Sequence, residues 1–163
     1  ILFNNTVTGK NVSLVVKKTE LHKALNVIHG EIFGVSKKIN IAIFGHGLVG
    51  GTLINQILES AEAIEKRKHI KLNVFAIANS KNIILNKNGV TSNWKNELQN
   101  NGLSYTFEDV IAYANEHHLE NLIAIDNTAS AAFVENYIPL IESSFDLISS
   151  NKVANTLSYG FYK

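Results

Sequence analysis

The spacing of apolar residues along the chain changes several times. Ile41-Ala42-Ile43-Phe44 is a short run bounded by glycine, the pattern of a strand buried on both faces. It predicts a strand over 40–44. Gly45-His46-Gly47-Leu48-Val49-Gly50 follows at once. From Leu48 to Arg67 the period becomes helical, with Leu53, Ile54, Ile57, Leu58, Ala61 and Ile64 on one side. Residues 72–78, 121–125 and 145–148 read as further buried strands, and Ile83-Ile84-Leu85 as a short extra one before a turn at Asn88-Gly89. Helical segments are predicted over 92–99, from Thr106 with Asp109 in the capping-box region, and over 130–142. Pro139, late in that last segment, kinks it or begins a new turn. Upstream, an apolar Ile1-Leu2-Phe3 and a strand over 12–16 flank a turn at Thr8-Gly9-Lys10-Asn11. Thr19 is expected to cap a helix carrying Leu21, Ala24, Leu25, Ile28 and Ile32, with Gly34 ending it.

From residue 39 onward strands alternate with helices. This predicts an α/β, Rossmann-like, mostly parallel sheet with helices on both faces. Residues 35–40 read as a polar connection, so the expected division is 1–38 and 39–163. One or two strands and one helix do not make a stable domain alone, so the first piece must pack on something else. Polar clusters close three strands, at 79–81, 126–128 and 149–152. Right-handed crossovers bring those ends to the same edge as the glycine turn.

Strand, glycine turn and helix in that order give the GxGxxG spacing its meaning. Gly45 lets the chain leave the strand sharply. Gly47 leaves room for a pyrophosphate, and Gly50 lets the helix pack closely. Free N–H groups at the helix start then face the phosphates. A glycine-rich turn with no ligand is the plain alternative.

Dinucleotide folds often carry an acid at the end of the second strand. Here Asn79-Ser80-Lys81 stands in its place. An acid repels a 2′-phosphate and a lysine attracts it, which leans towards NADP or tolerance of both cofactors. Lys81 reads equally as a solvated loop lysine. Thr128 can donate a hydroxyl hydrogen bond near the nicotinamide or its ribose. Lys152 can orient a carboxamide, a ribose or an acidic substrate, or be a surface lysine. Asp126 reads as a brace for its loop, and Trp94 as packing between loop and sheet. His46 lies in the turn with its side chain expected to point outward. None of His22, His29, His46, His69, His117 and His118 has a recognised metal spacing. No nucleophile elbow and no complete acid–base set is visible.

Composition narrows the class. Of 163 residues 45% are hydrophobic, enough for an ordinary core. The net charge is +1 with both signs scattered, and Glu65–His69 reads as a solvated helix end, so neither nucleic acid nor membrane is an expected partner. There are no cysteines, which excludes disulfides and thiolate metal sites and fits a reducing, cytoplasmic setting. Methionine is also absent and the last residues are Gly160-Phe161-Tyr162-Lys163, so a segment of a larger protein is expected.

Four motifs in order carry a resemblance. Ile43–Gly51 resembles the cofactor-binding opening of homoserine dehydrogenases, and Ala76–Lys81 their second-strand segment. Asp126-Asn127-Thr128-Ala129-Ser130 is similar to their D-x-T-x-S element, and Ser150–Asn155 to their N-K-x-A stretch. Ser149-Ser150 departs from a more usual Thr-Pro, and the Asn127 position is often Cys in the family. Residues 11–34 resemble the last strand and helix of an ACT-type regulatory module, as in bifunctional aspartokinase–homoserine dehydrogenases. The resemblance implies interconversion of L-homoserine and L-aspartate 4-semialdehyde with NAD or NADP, on the route to threonine and methionine; a homo-oligomer is also expected. It implies that Gly45, Gly47, Leu48, Val49 and Gly50 hold the pyrophosphate and adjoining ribose. Asn79, Ser80 and Lys81 would line the adenosine side, and Thr128, Ser130 and Lys152 would approach the nicotinamide. The family's acid–base lysine and substrate-binding carboxylates are expected beyond residue 163. Two rival readings are another NAD(P)-dependent oxidoreductase of amino-acid metabolism and a nucleotide-sensing module without chemistry.

Overall fold

The computed structural model describes residues 2–5, 12–33 and 36–156. The chain divides into two compact units, Ile1–Ser36 and Lys37–Lys163. In the first, β1 (Leu2–Asn5) pairs antiparallel with β2 (Val12–Val15), Leu2 opposite Val15 and Asn5 opposite Val12. A 3₁₀ turn over Lys18–Glu20 then runs into α1 (Leu21–Phe33). The expected Thr19 cap does not form. Helical backbone already begins at Lys18, and the extended cap position falls on Lys17, whose side chain makes no capping bond. The turn at 8–11 and the Gly34 terminator lie outside the described residues.

The second unit runs β3 (Lys37–Phe44), α2 (Leu48–Lys68), β4 (Ile70–Ala78), β5 (Asn82–Leu85), α3 (Trp94–Asn101), β6 (Leu103–Ser104), α4 (Phe107–Glu116), β7 (Leu122–Asp126), α5 (Tyr137–Glu142) and β8 (Phe145–Ser149). The sheet order is β6-β5-β4-β3-β7-β8. Strands β4, β3, β7 and β8 are parallel, while β5 and β6 extend the sheet antiparallel at one edge. The predicted α/β, mostly parallel Rossmann-like sheet is therefore what forms.

Alternating residues of β3 supply two cores. Ala42 and Phe44 face α4 and α5, packing with Val110, Ala114 and Leu140. Ile41 and Ile43 face α2 and α3, packing with Ile54, Trp94 and Leu98. Strand β7 divides the same way: Leu122 and Ala124 on one face, Ile125 on the other. Helices thus cover both faces, and the parallel strands are near-continuously apolar for that reason.

Several boundaries differ from the sequence reading: β4 starts at Ile70 rather than 72, β7 spans Leu122–Asp126, and three further differences concern β3, α3 and the segment 130–142. Strand β3 starts at Lys37, not residue 40, because Lys37 and Lys38 pair with Ile70 and Lys71 of β4. Lysine is depleted in strands, so the pattern read this rim as a connection. Helix α3 starts at Trp94, two residues late. The segment 130–142 is not one helix: a 3₁₀ turn over Ala132–Asn136 precedes α5. Pro139 has no N–H for the Glu135 carbonyl and its ring would collide with it, so the α-helix begins at Tyr137 with proline in its first turn. Elsewhere the local signals hold. Thr106 and Asp109 form the capping box of α4, the Thr106 N–H donating to the Asp109 carboxylate at 2.7 Å. Helix α2 ends in Lys66, Arg67 and Lys68, with His69 left-handed at its C-cap, φ 53°.

Two buried asparagines tie the opposite edge of the sheet together. Asn73 donates to the Asn40 side-chain oxygen at 2.7 Å, and Asn40 donates to the Glu120 carbonyl at 2.6 Å. These bonds clamp β3, β4 and the turn before β7 at the edge away from the glycine turn. Ile54 is fully buried between α2 and the sheet. Truncating it to Ala is expected to cost about 2–5 kcal/mol of stability, read as a lower urea midpoint at unchanged slope.

Candidate cofactor site

The chain crosses from one half of the sheet to the other at β3. Strand β4 lies on one side of it and β7 on the other, so the edge above β3 is a topological switch point, where open α/β sheets bind ligands. The glycine turn occupies that point. The Gly45 N–H donates to the Ala78 carbonyl at 2.8 Å, and φ there is +86°. Any side chain at Gly45 would also strike the Asn127 backbone at 2.8 Å.

Gly50 permits the closest approach. A Cβ on it would stand 1.9 Å from the Gly45 carbonyl oxygen and 3.2 Å from the Asn127 Cβ. Gly47 is the opposite case: its Cβ would meet nothing within 4 Å. It is the N-cap of α2, it has no side chain to cap with, and the following residues Leu48 and Val49 are 90% and 60% exposed. The first turn of α2 thus presents uncapped N–H groups and the positive end of the helix dipole to open space. An uncapped helix start with open space before it suits an anionic group such as a pyrophosphate.

At the end of β4, Asn79 builds a tight turn. Its side-chain oxygen accepts the N–H groups of Lys81 at 2.8 Å and Asn82 at 2.7 Å. Its carbonyl accepts the Tyr105 hydroxyl at 3.0 Å, and burial raises the Tyr105 pKa above its ordinary value. The Asn79 oxygens are therefore engaged in shaping the turn, and its amide nitrogen faces His46, 3.4 Å from Nε2. Ser80 and Lys81 are exposed on this turn.

His46 does not point outward as expected. Its ring is half-buried and meets Trp94 edge-on, centroids 5.7 Å apart. Trp94 is 1% exposed and donates to Asn55 at 3.1 Å, so it packs α3 against α2 and the sheet, as its expected role requires.

On the other side of the switch point Asp126 is fully buried. It accepts the Thr128 N–H at 2.7 Å, the Tyr137 hydroxyl at 2.6 Å and the Asn151 amide at 3.1 Å. Asn151 also donates to the Ser130 carbonyl at 2.9 Å, and the Tyr137 hydroxyl meets Ser149 at 2.6 Å. One carboxylate thereby joins the loop after β7, the start of α5 and the loop after β8. Thr128 and Ser130 are held within this network, while Lys152 is exposed on the adjoining bend. Asp126 braces its loop, as its position suggested. Tyr137 was hidden in the sequence because it sits in an apolar stripe and reads as core. Asn151 was visible only as one member of a polar cluster. Among the described residues no three His, Asp, Glu or Cys side chains gather to hold a metal, and no helix is long and apolar enough to cross a membrane.

Fold, switch point and glycine turn together define a dinucleotide-binding domain of the Rossmann type. The family described as homoserine dehydrogenase, NAD binding domain, matches residues 45–161. The chain belongs to that family. It is 36% identical over 155 residues to a bifunctional aspartokinase/homoserine dehydrogenase of Buchnera aphidicola, and 30% identical over 154 residues to one of Haemophilus influenzae. Each match covers 94% of this chain but 19% of the relative, so the chain spans about a fifth of those proteins. Among solved structures, a Candida auris protein of unknown function has a TM-score of 0.64 at 21% identity, covering 78% of this chain and 34% of that one. A Thermoplasma acidophilum homoserine dehydrogenase has a TM-score of 0.51 at 20% identity, covering 72% and 36%. Those two likenesses concern the fold.

Two glycine variants separate folding from ligand approach. Gly50→Ala is expected to destabilise the unit by more than about 3 kcal/mol, because helix and turn must part. Gly47→Ala is expected to stay within about 1 kcal/mol of the parent in urea melts, yet to weaken dinucleotide binding at least about tenfold by calorimetry. Tyr137→Phe removes a bond to a buried carboxylate and is expected to cost about 1–3 kcal/mol in the same melts.

Proposed function

We propose that this chain is the NAD(P)-binding part of a homoserine dehydrogenase, in a protein that is also an aspartokinase. The reaction is interconversion of L-homoserine and L-aspartate 4-semialdehyde. The observation that carries the reading is the uncapped glycine cradle at the switch point, flanked on one edge by the polar ends of β4, β7 and β8. Membership of the family and the two bifunctional relatives support it.

In this reading Gly45, Gly47, Leu48, Val49 and Gly50 receive the pyrophosphate through backbone N–H groups. Asn79, Ser80 and Lys81 border the adenosine ribose. Thr128 and Ser130, braced by Asp126, meet the nicotinamide end, and Lys152 supplies positive charge beside it. The nicotinamide supplies the hydride acceptor or donor. The residues of this chain bind, orient and keep the two ends apart, and the acid–base groups come from another part of the protein. Residues 1–38 are read as part of an ACT-like regulatory segment. Their exposed Leu21, Leu25 and Val27 are in keeping with a further surface to cover. The reading carries a cytoplasmic homo-oligomer with it.

Calorimetric titration of the intact protein with NADH and NADPH tests the cofactor reading. Saturable binding below about 1 mM is expected, and absence of binding by both would overturn it. Reduction of cofactor on adding L-homoserine tests the substrate. Turnover with other amino-acid-derived alcohols but not with homoserine would move the chain to a different oxidoreductase.

A further inference from the structure

A cavity of about 410 Å³ opens beside the glycine turn, within the ~300–1,000 Å³ typical of small-molecule sites. His46 of the turn, Asn79 at the end of β4, and Trp94, Lys95 and Gln99 of α3 line it. The pyrophosphate cradle adjoins it through His46, and the ribose side adjoins it through Asn79. A ribose running from one to the other therefore passes its mouth.

The lining is rich in donors and holds no carboxylate. Asn79 has both side-chain acceptor bonds committed to its own turn, so what it can offer a ligand is its amide group, whose nitrogen lies 3.4 Å from His46 Nε2 at the cavity wall. Lys95 adds a full positive charge. Its Nζ stands 5.4 Å from the centroid of the Trp94 ring, a ring immobilised by burial and by its bond to Asn55. Trp94 itself is too deeply buried to offer a stacking face, so the cavity is poorly suited to a base and well suited to an anion. Lys81 is not among the lining residues, although it is closer in sequence to the strand end.

We propose that this cavity receives the 2′-phosphate of an adenosine ribose, and that Lys95 rather than Lys81 is the residue that favours NADP over NAD. The proposal rests on the cofactor reading above and names the part of that site which sets its specificity. The cation arrives from α3, sixteen residues beyond Asn79 in the chain, that is, from a separate element and not from the strand end itself. Binding of a 2′-phosphate therefore depends on α3 being docked.

Adenosine 2′,5′-bisphosphate and AMP are the probes, since they differ only in the group at issue. Titrated calorimetrically into the intact protein, Lys95→Ala is expected to weaken the bisphosphate about tenfold, the loss of one charge-assisted hydrogen bond, and AMP by less than twofold. Lys95→Arg is expected to keep most of the preference. Equal losses for both probes, no loss, or a selective loss in Lys81→Ala instead would each overturn the proposal. These outcomes leave the cofactor reading standing if NADH still binds. A parent protein that binds neither NADH nor NADPH removes both.

Discussion

The contact between Gly50 and the Gly45 carbonyl is the constraint on which the rest depends. Helix α2 starts within a few residues of β3 and lies back across the sheet, and that return is possible only if no side chain separates helix from turn. Because the helix starts so early, its first N–H groups stand over the end of β3. Because Gly47 contributes no side chain, nothing of the protein satisfies them there through a cap. A helix start that a Ser or Asp would ordinarily close is left without a side-chain cap.

The second constraint is electrostatic. Asp126 places a carboxylate in a fully buried position, where an unsatisfied charge would be costly. Its partners come from three separate stretches: Thr128, Tyr137 and Asn151. Satisfying that one group, beside the small apolar cluster of Val134, Tyr137 and Ala154, fixes the relative placement of two loops. The loops after β7 and β8 are thus tied by a buried polar network, whereas the end of β4 is held by a tight Asn79 turn and the packing of Trp94. Such networks stabilise only when every member is paired, which makes this side sensitive to loss of any one of them.

Much of the site was legible in order along the chain. Short apolar runs followed by polar clusters mark strands with functional ends, and the glycine spacing marks the start of α2. The capping box at Thr106 and the basic end of α2 are local devices, so they read correctly without tertiary information. What failed was decided by partners distant along the chain. Lys37 and Lys38 form strand because β4 offers them a partner, and no periodic signal records that. Pro139 announced an interruption, but whether it would kink a helix or begin one depended on how the preceding turn packed.

The sequence by itself determined the alternation of strand and helix, the glycine turn and the class of ligand, because each rests on backbone geometry and period within a few neighbouring residues. Only the tertiary structure decided which side chains share a site. His46 turns inward against Trp94, Lys95 lines the cavity beside it, and Tyr137 reaches Asp126. Each of these pairings joins residues on different elements. Their meeting is set by how helices pack on the sheet, and packing is a property of the whole fold that spacing along the chain does not encode.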